Sequence, residues 1–459
     1  MMARPYHVVV VLLLLESSVR FGEGASNPGV VARITTKGLE YANQYAVATL
    51  RKELPAIRLP DFSGNFKIGW FGRVSYNFHS LKIHRFEVRN SDLSLLPGLG
   101  IRASLSNNDL SLGGNWKVKK GFINLKGSFD LKVDGISISV SLNLGKDETG
   151  RPTASVHHCS NSIGRVSVRI SGSLKWILNL FHKRIESNIK RILEKQICEV
   201  VKKSSDSHLK PYLQTLPVTL MIDQVAGIDY RLFGAPQVTS KSVDIPIKGE
   251  FFSQSQRTPV PFDAPAMMLP QPYDRMVYFA VSEYVFNTAS RVYHQAGLLN
   301  VTISNEHLAG LFPNMQVQLE ASPESEPHLW FTPGNVTIAP VMDVQAFGIL
   351  PNSSDRRPLF QLRVKTNFSI SVSMNSDRIV GSVSPESELK LELKHSNIGS
   401  VDVEEMETIF NVFAREVIYP SLNAQLKKGF PLPVPRNIFL NSVELQIHEN
   451  FLLLGANIN

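Results

Sequence analysis

The feature that most constrains the fold is an order of segments that occurs twice: a helical pattern, a series of alternating segments and a second helical pattern. In the first half, apolar residues at three-to-four spacing predict a helix over residues 29–54 and another over residues 174–208, which Pro211 and Pro217 end. Between the two helices, segments such as GIRASLSNNDLSLGGNWKVKK alternate apolar and polar residues and carry Gly and Asn turns. That alternation is typical of antiparallel strands.

The second half repeats this order. Helical patterns cover residues 274–297 and 403–428, the latter stopped by Pro431 and Pro433, and alternating segments lie between them. The internal duplication predicts an α+β fold with two similar bodies. Each body is a strongly twisted antiparallel sheet with two long helices lying along it.

A proline-rich stretch separates the two halves. Residues 249–272 show little periodicity and hold Pro259, Pro261, Pro265, Pro270 and Pro272. Because clustered prolines favour extended backbone, this stretch predicts a semi-rigid spacer between one domain of residues 27–248 and another of residues 273–459.

Two long helices against one curled sheet enclose an elongated interior. Two interpretations of that interior are open: a filled core, or a slot that takes acyl chains, since small and branched side chains leave room that aromatic rings would close. The positions that line it on the predicted helices are Val31, Ile34, Leu39, Ile185 and Ile189.

The N-terminus indicates export. Arg4 and His7 precede the apolar run 8–15, and small residues follow, which is the layout of a cleaved signal peptide over residues 1–26. Eight apolar residues are too few to cross a bilayer, which needs about 20 in a helix. We therefore expect a secreted protein, or one stored in secretory granules. Four N-glycosylation acceptors agree with export, all in the second half: Asn300, Asn335, Asn352 and Asn367.

The chain has two cysteines, Cys159 and Cys198. An even pair in an oxidising compartment predicts a disulfide between them. His157 and His158 precede Cys159, but adjacent strand residues point in opposite directions, so no metal site is predicted here.

No catalytic constellation is recognisable. The sequence has no Gly-x-Ser-x-Gly elbow, no His-Glu-x-x-His and no glycine-rich nucleotide loop. Four carboxylates at the start of a predicted helix are explained by the helix dipole, and they are Asp402, Glu404, Glu405 and Glu407. The sequence therefore predicts a protein that is not an enzyme and that needs no cofactor.

Charge is divided unequally between the halves. Residues 25–220 contain 29 Lys and Arg against 14 Asp and Glu, a net charge of +15, whereas residues 221–459 contain 17 against 24, a net charge of −7. A one-sided field of this size attracts polyanions to one end of the molecule. The alternative is that the positive charge only keeps a large domain soluble.

Three cationic groups could form the polyanion site. The segment NWKVKKGFINLK places Lys117, Lys119, Lys120 and Lys126 beside Trp116, and at an exposed hairpin tip it would offer cations to phosphates and an indole to the headgroup region. A second group lies on the helix of residues 174–208, where a solvated polar face is the alternative: Lys175, Lys183, Arg184, Lys190, Arg191 and Lys195. A third group lies near Trp70 and Phe71: Arg51, Lys52, Lys67 and Arg73.

Several segments resemble one protein family. WKVKKGFINLKGSFDL, LFHKRIESNIKRILEKQICE, DRMVYFAVSEYVFNTA, LELKHSNIG and KKGFPLPVP are similar to sequences of the family of bactericidal/permeability-increasing protein and lipopolysaccharide-binding protein. The similarity runs from about residue 27 to the C-terminus. The chain departs from the family pattern at residues 304–311, where family members have a longer stretch. We therefore expect the second body to be shortened there.

The resemblance implies a boomerang of two similar barrels, joined by a central antiparallel sheet, with an apolar pocket for phospholipid in each barrel. It implies a disulfide between Cys159 and Cys198. It also implies that basic residues of the N-terminal tip bind the lipid A of endotoxin. Here that role falls on Lys117, Lys119 and Lys120, supported by Lys126, Arg51, Lys52, Lys67, Arg73, Lys183 and Arg184.

The leading hypothesis is a secreted innate-immune protein that binds lipopolysaccharide at the basic tip, kills Gram-negative bacteria and neutralises endotoxin while peripheral on their outer membrane. The alternatives are a carrier that delivers endotoxin to host receptors, a plasma transfer protein for phospholipid or sterol ester, and a secreted hydrolase. Phospholipid and heparin-like polyanions are further expected partners, whereas nucleic acid is not.

Overall fold

The computed structural model of the protein describes residues 27–53, 61–68, 72–120, 123–171, 182–271, 274–303, 316–349, 355–375, 378–431 and 440–458. The predicted signal peptide, the glycosylation acceptor Asn352 and the departure at residues 304–311 lie outside the described residues.

Strands dominate both halves. Those of the first half are β1 (Val30–Thr35), β2 (Phe62–Ile68), β3 (Gly72–Glu87), β4 (Asn90–Leu96), β5 (Gly100–Lys120), β6 (Ile123–Lys146), β7 (Pro152–Ser162), β8 (Arg165–Ile170), β9 (Thr219–Met221), β10 (Ala226–Asp229), β11 (Gln237–Val238), β12 (Ser242–Ile247) and β13 (Glu250–Ser253). Those of the second half are β14 (Val277–Ser282), β15 (Val301–Ile303), β16 (Val317–Pro323), β17 (Leu329–Thr332), β18 (Asn335–Ile338), β19 (Val341–Ile349), β20 (Arg356–Lys365), β21 (Phe368–Asn375), β22 (Arg378–Pro385), β23 (Lys390–Ser396), β24 (Phe430–Pro431), β25 (Leu440–His448) and β26 (Phe451–Ile458).

The helices lie at corresponding places in the two halves. They are α1 (Thr36–Glu53), α2 (His182–Ser204), α3 (Lys210–Gln214), α4 (Glu283–Gln295), α5 (Val403–Phe413) and α6 (Tyr419–Leu426).

A central antiparallel sheet joins the two halves. Its strand order is β11-β12-β1-β14-β26-β25, so β1 of the first half pairs directly with β14 of the second. The predicted helices over residues 29–54 and 274–297 are therefore wrong in their first turns, where the chain forms β1 and β14. Both segments are rich in β-branched residues, and pairing with strands far away in sequence overrides the short helical spacing.

The N-terminal body is built on one large sheet. Its order is β2-β3-β5-β6-β7, with β4 also paired to β5 and β8 also paired to β6. Helix α2 packs across the inner face of this sheet and contributes Ile189 to a core that contains Leu112, Leu131 and Phe129. The sheet and helix thus enclose the predicted elongated interior.

The C-terminal body has two five-stranded sheets in the described residues, β15-β16-β19-β20-β23 and β17-β18-β21-β22-β24. The chain crosses between the two sheets by very short connections, such as Ala339–Pro340 and Thr366–Asn367. Helices α5 and α6 lie against these sheets. Two sheet-and-helix bodies joined by a central antiparallel sheet confirm the predicted α+β class.

The second long helix of each half contains the same irregularity, which supports the predicted internal duplication. Helix α2 passes through a π-helical turn, Ser205–Leu209, into α3, and α5 passes through Ala414–Ile418 into α6. A proline then follows in the first turn of the new segment, Pro211 in α3 and Pro420 in α6. There the missing proline N–H costs no helical hydrogen bond. The prediction that Pro211 ends the helix is therefore wrong, because the helical chain continues to Gln214.

The proline-rich stretch lies across the central sheet. Met267 and Leu269 pack against the sheet residues Val31, Tyr278 and Leu453. The Arg33 guanidinium donates to the Pro270 carbonyl at 2.8 Å. The stretch therefore covers one face of the sheet that links the halves, in addition to connecting them in sequence.

Helix α4 of the second half packs on the small sheet β13-β10-β9. Two tyrosine hydroxyls hold it there: Tyr293 donates to Asp223 at 2.7 Å and Tyr284 donates to Glu250 at 2.5 Å. The Thr288 hydroxyl also accepts the backbone N–H of Phe251. Residues 219–253 are thus structurally coupled to the second half.

This small sheet contains a buried carboxylate. The Arg231 guanidinium donates to Asp229 at 2.6 Å, and Lys248 lies 3.8 Å from the same carboxylate. Burial alone raises the pKa of Asp229, but the hydrogen bonds from Arg231 and the charges of Arg231 and Lys248 outweigh it. The pKa of Asp229 is therefore lower than its ordinary value.

The lowered pKa predicts an acid-sensitive contribution to stability. Ionised Asp229 stabilises the fold above the unfolded-state pKa of about 3.9, and this stabilisation is lost as pH falls through the lower folded-state value. Asp229→Asn should therefore unfold at lower urea than the wild type at pH 7, and the difference should shrink towards pH 3. Asp206→Asn, at an exposed carboxylate, is the control. A difference for Asp229→Asn that does not change with pH would contradict this account.

Candidate functional site

Strands β5 and β6 form the hairpin that the cationic segment predicts. Their register pairs Lys117 with Lys126, Lys119 with Asn124 and Lys120 with Ile123. The hairpin therefore ends just beyond Lys120, and the cations lie at its tip.

Five cations share the outward face of the sheet around this tip. Lys67 pairs with Arg73 across β2 and β3, and β3 continues the same face through Ser75 and Asn77, which lie opposite Lys119 and Lys117. All five side chains are exposed, and we call this set the basic face: Lys67, Arg73, Lys117, Lys119 and Lys126. The structure thus brings Lys67 and Arg73 of the third predicted group together with Lys117, Lys119 and Lys126 of the first.

The remaining outward positions between these cations carry only small neutral polar side chains. They are exposed Asn and Ser residues on the same four strands: Ser63, Asn65, Ser75, Asn77, Asn115, Asn124 and Ser128. The sequence interpretation missed them, although the strict alternation of each strand would have found them. Their amides and hydroxyls can hydrogen-bond to phosphate oxygens or sugar hydroxyls without reducing the positive charge.

Like charges lie next to each other on the basic face. Like charges directly opposite each other on antiparallel strands are destabilising, yet Lys117 faces Lys126 and Lys67 faces Arg73. In the part of the chain that the structure describes, no carboxylate lies within ion-pair distance of Lys117, Lys119, Lys126 or Arg73. The fold therefore maintains a local repulsion that an external anion would relieve.

In the C-terminal body, a like-charge pair of the same kind is compensated by carboxylates. Lys365 faces Lys390 across β20 and β23, also like charge against like charge. Here each ammonium has its own carboxylate: Lys365 lies 2.5 Å from Glu392, and Lys390 lies 2.7 Å from Glu407. Lys394 is held in the same way, 2.8 Å from Asp343.

The structure corrects the expected role of Trp116. Its side chain is 2% exposed, on the inner face of the sheet, where the indole N–H donates to the carbonyls of Ser128 and Ser171 at 3.1 Å each. The indole is therefore unavailable to a lipid surface. It belongs to the aromatic packing with Phe78 and Phe129 that supports the basic face from beneath.

Glycines make room for this aromatic layer. Gly127 lies directly opposite Trp116, and a Cβ there would come within 2.7 Å of the indole nitrogen. Gly64 stands in the same relation to Tyr76. Because each ring lies over a glycine of the neighbouring strand, the bulky side chains can pack closely against the sheet.

The helical cations are only partly where the sequence places them. Lys183 is exposed at the start of α2. Lys190 donates to the Gly164 carbonyl at 3.1 Å and lies 4.0 Å from Glu194, so it is bound to its own fold. Lys175 lies outside the described residues, and the side chain of Arg184 is outside the described side chains.

Arg51 is not part of the basic face. Its guanidinium donates to the Val88 carbonyl at 2.9 Å, and the neighbouring Glu87 pairs with Asp109 on β5. Lys119 lies ten residues further along β5, roughly 30 Å away in an extended strand. The prediction that groups Arg51 with Lys67 and Arg73 is therefore wrong. The side chain of Lys52, the fourth member of that group, lies outside the described side chains.

The expected lipid-lining residues lie in different environments. Val31 faces the proline-rich stretch on the covered side of the central sheet, and Ile189 is 1% exposed within the packed core. Both side chains are therefore part of a close-packed hydrophobic core. Ile34 is half-buried on the other face of β1, Leu39 is buried in α1, and the Ile185 side chain lies outside the described side chains.

The apolar side chains of the N-terminal body are buried near the tip and half-buried towards the central sheet. Leu112 and Leu131 are each 1% exposed. Further along the same strands the apolar side chains are only half-buried, and they are Leu95, Ile101, Leu105, Ile138 and Leu142.

The predicted disulfide is confirmed. Cys159 on β7 and Cys198 on α2 are bonded, with their Cα atoms 5.8 Å apart. The bond ties the second long helix to the edge of the sheet.

Among the described glycosylation acceptors, Asn300 and Asn367 are exposed, whereas Asn335 is half-buried and accepts from the Ser369 hydroxyl at 2.6 Å. Glycosylation at these positions stays a prediction.

Profiles of one protein family match nearly the whole chain. The N-terminal domain of the LBP / BPI / CETP family matches residues 38–215, and its C-terminal domain matches residues 220–459. The chain belongs to the LBP/BPI/CETP family. This confirms the resemblance found in the sequence.

Individual members of the family are similar over almost their full length. Lipopolysaccharide-binding protein from Homo sapiens is 45% identical over 98% of this chain and 97% of its own. Bactericidal permeability-increasing protein from Rattus norvegicus is 36% identical over 95% of this chain and 94% of its own. The crystal structure of lipopolysaccharide binding protein is 42% identical and superimposes with a TM-score of 0.61, covering 94% of this chain and 99% of that one.

The two LBP/BPI/CETP domains meet between residues 215 and 220, where α3 has ended and β9 begins. The proline-rich stretch therefore lies inside the C-terminal family domain, together with the small sheet that packs under α4. None of the described helices combines the length and apolar composition that crossing a bilayer requires.

Proposed function

We propose that this chain binds lipopolysaccharide and that the basic face is the contact surface for its phosphorylated lipid A. The observation that carries the proposal is the uncompensated pair Lys117 and Lys126, exposed and directly opposite each other. A phosphate carries up to two negative charges and three strong acceptor oxygens, so one phosphate can satisfy both ammonium groups and remove their repulsion. The names of the lipopolysaccharide-binding relatives support the same ligand.

We further propose that acyl chains, of phospholipid or of the endotoxin itself, enter the N-terminal body between the basic face and the central sheet. The half-buried apolar residues Ile101, Leu105, Ile138 and Leu142 support this part of the proposal. Such a division puts charged groups on the outside of the sheet and hydrocarbon on its inside, as an amphipathic ligand requires.

The proposed setting is outside the cell, in innate immunity against Gram-negative bacteria, with the protein peripheral on the bacterial surface. Two roles remain to be separated by experiment. The net charge of +15 on residues 25–220 favours an effector that permeabilises bacteria. The higher identity to lipopolysaccharide-binding protein, 45% against 36% for bactericidal permeability-increasing protein, favours a carrier that hands endotoxin on.

Binding to immobilised lipopolysaccharide tests the proposal. The affinity should fall steeply between about 0.1 M and about 1 M salt, over which the Debye length shrinks from about 10 Å to about 3 Å. Heparin should compete, because its sulfates meet the same cations, whereas vesicles of neutral phospholipid should not. An affinity that does not depend on salt would rule out the basic face as the contact surface. Killing of Gram-negative cells by the bound protein indicates the effector, and binding without killing indicates the carrier.

A further inference from the structure

The C-terminal body exposes an indole ring on β17. The Trp330 side chain is 44% exposed, and no other Phe, Tyr or Trp among the described side chains of the second half is exposed. Its ring centroid lies 5.0 Å from that of His328, which covers one side, and the indole N–H has no hydrogen-bond partner in the described part of the chain. A large apolar surface left in water costs free energy unless another group covers it.

The register of the β17–β18 hairpin places an N-glycosylation acceptor beside this ring. Trp330 pairs directly with Thr337, two residues along β18 from Asn335. Phe331 and Val336 alternate with them and are buried, so Trp330, Thr337 and Asn335 share the outward face. Diagonal neighbours on antiparallel strands are about 7–8 Å apart, within reach of an aromatic ring. Asn335 and Thr337 are the first and last residues of the acceptor sequence Asn-Val-Thr.

The fold holds Asn335 in a defined orientation. Its Oδ1 accepts from the Ser369 hydroxyl at 2.6 Å, whereas its Nδ2 has no hydrogen-bond partner among the described residues. The tight turn before it contains Pro333 and Gly334, the latter at a φ of 79°, which a side chain rarely adopts. The Gly334 N–H donates to the Ile447 carbonyl at 3.1 Å. The hairpin tip is therefore fixed, and the nitrogen that a glycan would modify is free.

The surroundings of the ring and the acceptor suit a neutral sugar. Outward positions on β17, β18, β21 and β22 carry hydroxyl groups and no charge, and they are Thr332, Thr337, Ser369, Ser371, Ser382 and Ser384. Hydroxyl groups both donate and accept hydrogen bonds, as sugar hydroxyls require.

We propose that Asn335 carries an N-glycan whose first N-acetylglucosamine packs its C–H face on the Trp330 ring. In the transfer, Nδ2 loses one proton and bonds to the anomeric carbon of the sugar, and the bond from that carbon to a polyprenyl diphosphate carrier breaks as the diphosphate leaves. Oδ1 is unchanged and still accepts from Ser369. The sugar covers the exposed indole and stabilises the β17–β18 hairpin. This role is independent of the basic face.

Hydrogen exchange of the hairpin amides tests the proposal. The full-length protein is produced in cells that make high-mannose glycans and is trimmed with endoglycosidase H, which leaves one N-acetylglucosamine at each occupied acceptor. Mass spectrometry of glycopeptides measures the occupancy of Asn335. The amides of residues 329–338 should exchange about five-fold more slowly in this form than in Thr337→Val, which keeps Asn335 but abolishes the acceptor. Asn335→Gln is a second form without the glycan, and it should behave as Thr337→Val does.

Variants of the ring and of the neighbouring acceptor supply the controls. In a Trp330→Thr background, Thr337→Val should no longer change the exchange rates, whereas a Trp330→Phe background should keep most of the difference. Asn367→Gln removes the acceptor on β21, two strands from Trp330, and should leave the exchange of the hairpin unchanged.

Three results would overturn the inference. The first is an unmodified Asn335 in the secreted protein, including the case in which added N-acetylglucosamine oligomers protect the hairpin, because the ring then serves an external saccharide. The second is an occupied Asn335 with equal exchange rates in the trimmed protein and both variants that lack the glycan. The third is a loss of protection in Asn367→Gln as large as that in Thr337→Val, because the ring then contacts the other glycan.

Discussion

Replacing Lys117, Lys119 and Lys126 together by Gln is expected to weaken lipopolysaccharide binding by roughly 100-fold while making the folded protein slightly more stable. Each cation near an anionic surface contributes about 1 kcal/mol of binding free energy, so three contribute about 3 kcal/mol. Removing the opposed pair Lys117 and Lys126 ends a cross-strand repulsion, a gain of up to about 1 kcal/mol in the free energy of unfolding. Titration of labelled lipopolysaccharide and urea unfolding measure the two effects separately.

The matched control is Lys365→Gln/Lys390→Gln/Lys394→Gln in the C-terminal body. It removes the same charge and also includes a like-charge cross-strand pair, but each ammonium there lies within 2.8 Å of a carboxylate. We expect this variant to keep its affinity for lipopolysaccharide and to lose a little stability. If the two triple variants weaken binding equally, overall charge governs the interaction. If the first variant binds as the wild type does, the basic face is not the site.

Arg33→Met should produce a large loss of stability, about 3–5 kcal/mol in the free energy of unfolding. The Arg33 side chain is 9% exposed, and its guanidinium donates twice to Asp244 at 2.8 Å and once to the Pro270 carbonyl at 2.8 Å. Without it, Asp244 is left with an uncompensated charge in the central sheet, and the proline-rich stretch loses an attachment. Urea unfolding followed by intrinsic fluorescence measures the loss.

Two further variants test whether the uncompensated charge of Asp244 causes the loss of stability. Arg33→Met/Asp244→Leu removes the stranded charge as well, so it should be more stable than Arg33→Met alone. Arg85→Met breaks an exposed pair, with Arg85 73% exposed and 3.4 Å from Glu87, and should change stability very little. A single Arg33→Met variant as stable as the wild type would show that the central sheet does not depend on this ion pair.

The basic hairpin could be predicted because it depends on local patterns. The alternation through Lys117 and Lys119 places their side chains on one face of a strand. Which cations from other strands join them could not be predicted. Lys67 and Arg73 reach the same face only through the pairing of β3 with β5, a contact between residues far apart in the chain.

The failures of the sequence interpretation have the same origin. Val31 and Ile34 have helical spacing, but they form a strand because β12 and β14 pair with β1 on either side. Trp116 was expected at the surface beside lysines, yet the face opposite those lysines is closed by α2 and the aromatic layer. Local periodicity can identify two faces of a strand, but burial of either face depends on what packs against it.

The sequence by itself determined the duplicated order of elements, the division of charge, the pairing of the two cysteines and the cationic end of one hairpin, because composition and short-range periodicity are sufficient for each. Only the tertiary structure decided that the opposed cations Lys117 and Lys126 have no acid within ion-pair distance among the described residues, that Trp116 is internal and that Arg51 lies elsewhere. The physical reason is that strand register and helix packing join residues far apart in sequence, and these long-range contacts determine which charges are compensated and which side chains are buried.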